Sequence, residues 1–184
     1  MNTPITDEVH ERLSRIIRLR LPWLILGLFG GVVASVLVSR FEDILSNNIR
    51  LAFFVPVIVY MSDAVGTQTE VMYVRSLARS KVSFYKNIIK EMQIGVLLGA
   101  ILGAFITLAV WIWLKDIEVA ASVGLAMLIN VTISPVLALI TPQILFKEHS
   151  DPALGAGPIT TIIQDAISLL IYFLVATSII GFKI

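Results

Sequence analysis

The chain contains no cysteine, so disulfide cross-links and thiolate metal sites are both excluded, and any bound metal must meet oxygen atoms or imidazole nitrogens. Imidazole is scarce as well. The only two histidines, His10 and His149, lie among charged residues outside the apolar runs, where solvated surface positions are expected. Charge is equally thin: 15% of the 184 residues are Asp, Glu, Lys or Arg, against 57% hydrophobic residues. A net charge of +1 gives no reason to expect a nucleic-acid partner. Sequences of the HExxH or GxSxG type are missing, and no low-complexity segment interrupts the chain, so nothing indicates an enzyme.

What the chain has in abundance is long apolar sequence. Five segments stand out, at about 22–39, 51–74, 92–114, 119–146 and 156–180. Each is close to or longer than the roughly 20 residues that cross a hydrocarbon core. The expected fold is therefore all-α: a polytopic membrane protein, a bundle of five transmembrane helices per protomer in the lipid bilayer. The first span follows a charged amphipathic stretch, Asp7 to Arg20, rather than a short basic leader, and no small-residue cleavage site comes after it. It reads as a retained helix and not a signal peptide. This divides the chain into a short cytoplasmic amphipathic N-terminal helix, 1–21, and a transmembrane domain, 22–184.

Orientation follows from the basic residues. With the N-terminus cytoplasmic, Arg12, Arg15, Arg18, Arg20, Arg75, Arg79, Lys81, Lys86, Lys90 and Lys147 fall on the cytoplasmic side, and Arg40, Arg50, Lys115 and Lys183 on the other. The bias satisfies the positive-inside rule and predicts an N-in, C-out topology. Trp23 near the start of the first span and Trp111 and Trp113 near the end of the third occupy positions expected of interfacial aromatics.

Against this background Asp165 is conspicuous, because it is a carboxylate set within the last apolar run. Asp at a membrane-helix centre costs roughly 2.5–3.5 kcal/mol, whereas each surrounding Leu, Ile, Phe or Val returns roughly 0.3–0.6 kcal/mol, so the helix still inserts. An ionisable residue at that depth points to function. The topology gives it a companion. Asp63 lies about 18 Å down the second span from its outer edge, and Asp165 about 12 Å up the fifth from its inner edge, at 1.5 Å per residue. In a core about 30 Å thick these are the same level.

The surrounding residues predict a polar cavity. On the fifth span Gly157, Thr161, Asp165 and Ser168 recur at helical spacing and are small or oxygen-bearing. The second span carries Asp63, Thr67 and Glu70 at similar spacing, with Gly66 and Gln68 beside them, and Pro56 ahead of them can loosen the backbone. The fourth offers a weaker stripe of Asn130, Ser134, Pro135 and Thr141, which equally suits helix packing. No Lys, Arg or His within the spans is available to neutralise Asp63 or Asp165, leaving a cation from outside the chain as the natural counter-charge. Carboxylate, hydroxyl, amide and carbonyl oxygens suit hard ions such as Mg²⁺, Ca²⁺ and Mn²⁺.

The segment Asp151-Pro-Ala-Leu154, followed by Gly157-Pro158, Thr160-Thr161, Asp165 and Leu169-Leu-Ile-Tyr172, resembles the last transmembrane helix of MgtE-type magnesium channels and transporters. Phe54-Val-Pro56-Val, Gly66-Thr-Gln68-Thr and Val74-Arg75-Ser-Leu77 are similar to that family's second helix, and Lys90-Glu91-Met with Gly95-Val-Leu-Leu-Gly99 to its third. The resemblance implies a homodimer in the cell (inner) membrane, with a divalent-cation pore on the two-fold axis lined by the second and fifth helices. It implies that Asp165 is the central ligand of hydrated Mg²⁺, with Thr161 and Gly157 at pore-lining positions. Two departures bear on this. Where the family typically has Gly-Gly-Asn in the second helix, this chain reads Ser62-Asp63-Ala64, so Asp63 is added as a metal-binding candidate and a preference for Mn²⁺ or Ca²⁺ enters. A proton- or sodium-coupled carrier using Asp63 and Asp165 is the alternative to a channel. The sequence also lacks the cytoplasmic N and CBS domains of many members, as expected either of a minimal form or of the membrane domain of a longer protein.

Overall fold

The computed structural model describes residues 13–79, 83–147 and 152–181. His10, Arg12, Lys81, His149, Asp151, Lys183 and the beginning of the amphipathic N-terminal stretch lie outside the described residues. The elements are α1 (Leu13–Ser39), a short α2 (Glu42–Asn47), a 3-10 turn (Ile49–Phe54), α3 (Val55–Arg79), α4 (Phe84–Leu114), α5 (Ile117–Lys147) and α6 (Pro152–Ile180). Among the described residues there is no strand. Five helices are long and apolar enough to cross a membrane: Leu13–Ser39, Ile49–Leu77, Phe84–Leu114, Ile117–Lys147 and Gly157–Ile180. The all-α, five-span expectation is thus met, and the part of the N-terminal stretch from Leu13 onward is the first turns of α1 itself.

The connections are capped rather than merely short. Asp116 accepts hydrogen bonds from the backbone N–H groups of Glu118 and Val119, satisfying donors that the first turn of α5 leaves free. The same carboxylate meets the Arg50 guanidinium at 3.2 Å, tying the 3-10 turn to the α4–α5 corner. Lys115 ends α4 in a left-handed conformation (φ 54°), and its ammonium lies 5.3 Å from the Trp111 ring centre. Pro56 proves not to break the second span. It stands at the second position of α3, directly after the 3-10 turn, where its missing N–H has no helical partner to lose.

α5 is the central helix. More than half of its most apolar window is buried inside the protomer (56%), compared with 6% for α1, and it packs against α3, α4 and α6. Its seam with α4 is built from glycine. A Cβ on Gly95 would lie 2.8 Å from the carbonyl oxygen of Thr132, on Gly99 2.6 Å from that of Leu128, and on Gly103 2.8 Å from that of Gly124. Each step of four residues up α4 matches a step of four down α5, so the helices are antiparallel and in register with backbone against backbone. Pro135 contributes by having no N–H to occupy the Val131 carbonyl, which faces the same Gly95. The core then continues through Leu51, Ile58, Val65, Val123, Met127, Tyr172 and Phe173, with the Tyr172 hydroxyl donating to the Leu51 carbonyl at 2.7 Å. α1 stands apart and packs mainly against α6, where Gly30 lets Ile162 approach.

Candidate cation site

Asp63 on α3 and Asp165 on α6, placed at one depth by the sequence, line one cavity of about 460 Å³. Its walls come from α1 (Ala34, Ser35), the start of α3 (Pro56, Tyr60) and α6 (Thr161, Leu169). The Thr161 hydroxyl donates to Asp63 Oδ1 at 3.1 Å, so the two helices are joined directly at the carboxylate level. A second cavity of about 480 Å³ lies on the other side of Thr161 and Asp165, against Trp23, Gly27 and Gly31 of α1 and Pro158 of α6. Among the described residues no lysine, arginine or histidine lines either one. Six waters at about 30 Å³ each take about 180 Å³, so the first cavity has room for a hexahydrated cation.

The other candidates divide into three groups. Gly157 sits partly buried at the start of the α6 span, and the nearest atom to a Cβ there would be Glu70 Oε1 at 3.9 Å, so these two lie together one level below Asp63 and Thr161. Thr67 and Gln68 are exposed on the outer face of α3 and line neither cavity. Ser168, Gly66 and Asn130 turn inward. Ser168 is 1% exposed and donates to Ser62 Oγ at 2.7 Å, while Asn130 Nδ2 donates to the Ser168 carbonyl at 3.3 Å. Helix geometry explains why Ser168 parts from Thr161 and Asp165. A step of three residues falls about 60° short of a full turn and a step of four overshoots by about 40°, so the cavity face continues through Leu169 and Ser168 rotates into the α3–α5 seam.

A second polar stripe on α6, Thr160, Gln164 and Ser168, follows that seam, and its spacing of four was visible beside the stripe that carries Asp165. All three residues are at most 2% exposed. Gln164 Nε2 donates to Ser134 Oγ at 2.8 Å and to the Ser134 carbonyl at 3.1 Å, and the Ser134 hydroxyl in turn donates to the Ser62 carbonyl. Gly66 is the notch that admits this amide, since a Cβ there would fall 1.9 Å from Gln164 Nε2. Among the described residues Gln164 Oε1 is buried without a hydrogen-bond partner. Below, Thr69 donates to Glu91 Oε2 of α4 at 3.0 Å and Tyr73 to Gln143 of α5. The contribution of α1 to both cavities was not readable in the sequence, because from Leu21 to Val38 α1 is apolar except for Ser35 and carries no polar stripe.

Among the described residues there is no group of three or more histidines, aspartates or glutamates placed to hold a metal, so one protomer offers a carboxylate pair and not a closed cage.

Comparison with known proteins places this arrangement in a family. The model of MgtE, a divalent cation transporter, matches residues 55–175, which take in α3 to α6 and both carboxylates. The chain is 35% identical to the magnesium transporter MgtE of Bacillus subtilis over 164 residues, covering 88% of this chain and 36% of that protein. It is 33% identical to magnesium transporter MgtE of Enterococcus faecalis, covering 93% and 38%, and 29% identical to that of Thermus thermophilus, covering 85% and 35%. The chain thus spans little more than a third of the length of these relatives. With the family model running through α3 to α6 and the relatives matching most of the chain, the chain belongs to the MgtE family of divalent cation transporters.

Proposed function

We propose that this protein moves divalent cations, with Mg²⁺ the principal cargo, across the cell (inner) membrane through a pore formed between two copies of the chain, with Asp165 as the central ion ligand and Asp63 beside it. The observation that carries this reading is the shared cavity: two carboxylates on neighbouring helices, joined through Thr161, with no basic side chain in the lining among the described residues. Two unneutralised carboxylates at membrane depth are expensive unless a cation visits them. The relatives are magnesium transporters, which supports this ion class, and oxygen-only surroundings suit a hard cation that keeps much of its water.

The dimer rests on a separate argument. Thr67 and Gln68 stand exposed on α3, at a level where lipid cannot satisfy them, and a second copy packed along that face would bring them into an aqueous path. The positive-inside bias keeps the N-terminus cytoplasmic in this arrangement. A coupled carrier is the second reading, because two carboxylates in one cavity can exchange a proton or a sodium ion against the divalent cation.

Purified protein in liposomes tests both. The expected result is Mg²⁺ flux down its own gradient without a pH or sodium gradient. Flux that strictly requires such a gradient favours the carrier, and no flux of Mg²⁺, Mn²⁺, Ca²⁺ or Co²⁺ under any gradient rejects the proposal. In the same assay Asp63→Gly, which removes the additional carboxylate, shifts the selectivity series toward Mg²⁺. An unchanged series would remove Asp63 from the ion path.

A further inference from the structure

We propose that Gln164, Ser134 and Ser62 form a register clamp that fixes the separation of Asp63 and Asp165 and so sets which divalent cation the site prefers. This rests on the cation-site reading above and adds positioning residues to it. Ser62 immediately precedes Asp63, and Gln164 immediately precedes Asp165. Consecutive helical residues point roughly 100° apart, so each pair directs one side chain to the cavity and the other into the buried seam behind it.

In that seam Ser134 of α5 bridges the two helices in both directions. It accepts from Gln164 Nε2 of α6 and donates to the Ser62 carbonyl of α3, while Ser168 closes a direct α6–α3 link to Ser62 Oγ at 2.7 Å. Gly66 adds a steric lock, because the Gln164 amide occupies the space any larger residue would need.

Magnitudes indicate why such a clamp matters. A slip of one residue along α6 would displace Asp165 by about 1.5 Å and swing it roughly 100°. Metal–oxygen distances separate Mg²⁺ at about 2.0–2.1 Å from Ca²⁺ at about 2.3–2.6 Å, and the same difference carries to the outside of the hydration shell, so a site that discriminates between them through those waters needs a register held to better than an ångström. Stability alone does not account for Gln164. Its Oε1 is buried without a partner, a cost that an apolar side chain of the same length would not carry. An amide at this place therefore makes sense as a specifier of alignment.

The test compares Gln164→Met, Ser134→Ala, Ser134→Thr and Asp165→Asn with the unaltered chain in liposomes, reading the Mn²⁺ to Mg²⁺ and Ca²⁺ to Mg²⁺ flux ratios together with assembly by size-exclusion chromatography. Gln164→Met and Ser134→Ala are expected to assemble and to change at least one ratio roughly fivefold. Ser134→Thr retains the hydroxyl and is expected to keep the original ratios, which a mere packing effect would not produce. Unchanged ratios in assembled Gln164→Met and Ser134→Ala overturn the proposal, as does failure of both to assemble, which would make the cluster purely structural. Normal flux from Asp165→Asn overturns the cation-site reading itself, and the clamp with it.

Discussion

Asp165→Asn is expected to lower divalent-cation flux at least thirtyfold while leaving the protein assembled. The substitution keeps the side chain's shape and removes its charge. A unit charge about 5 Å from a divalent ion, at an effective dielectric near 20, interacts by about 6–7 kcal/mol. If only a third survives desolvation, about 2 kcal/mol remains, which is roughly thirtyfold in occupancy. Two copies across a dimer axis would each lose that attraction. The folding side of the change has the opposite sign, because the neutral amide costs less to insert than the carboxylate, whose own insertion cost is roughly 2.5–3.5 kcal/mol. Flux in liposomes and the elution position in detergent therefore separate the two effects. A monodisperse Asp165→Asn protein with full flux would show that the ion path avoids this residue.

The second large effect concerns the scaffold. Gly99→Leu is expected to destabilise the protein by about 3 kcal/mol or more, and Gly99→Ala by about 1–3 kcal/mol, read as a lower melting midpoint in detergent. The reason is specific to the position. A Cβ at Gly99 meets the Leu128 carbonyl oxygen at 2.6 Å, and a backbone carbonyl in a helix cannot swing aside as a side-chain tip can. Helix separation is the remaining response, and it would also weaken the contacts of Gly95 and Gly103 in the same seam. Gly31→Ala supplies the comparison, because a Cβ there meets nothing within 4 Å. It is expected to change the midpoint little. Equal effects at the two positions would mean that α4 and α5 are not held by close backbone approach.

Much of this was legible in the sequence because the bilayer imposes a length and an apolarity that no other environment demands. The five spans and the pairing of Asp63 with Asp165 at one level follow from those constraints and from the helical rise alone. Thr161 beside Asp63 was reachable from the spacing of four that joins it to Asp165. Ser168 was assigned to the same face because spacings of three and four both look like neighbours on paper, while in the packed helix they fall on opposite sides of the stripe. Thr67 and Gln68 showed their polarity but not their direction, since a helix flanked on only part of its circumference gives no sign of which side is free. Pro56 was taken for a break within the second span because proline marks an interruption without saying whether the helix has yet begun. Gln164 is hidden for a different reason: an amide is uncharged, so it lacks the charge that singles out Asp165 within an apolar run. Its importance rests on Gly66 and Ser134, residues on two other helices whose proximity only the fold creates.

The loose seat of α1 has a consequence for how the molecule must be handled. The apolar part of the helix, about 22–39, measures about 27 Å at the helical rise, close to a hydrocarbon core of about 30 Å, and only 6% of its most apolar window is buried within the structure. Its tilt is therefore set largely by bilayer thickness rather than by side-chain fit. Because α1 walls both cavities beside Asp165, the width of those cavities is expected to vary with the acyl-chain length of the surrounding lipid, and solubilisation in short-chain detergent to alter them before it alters the fold.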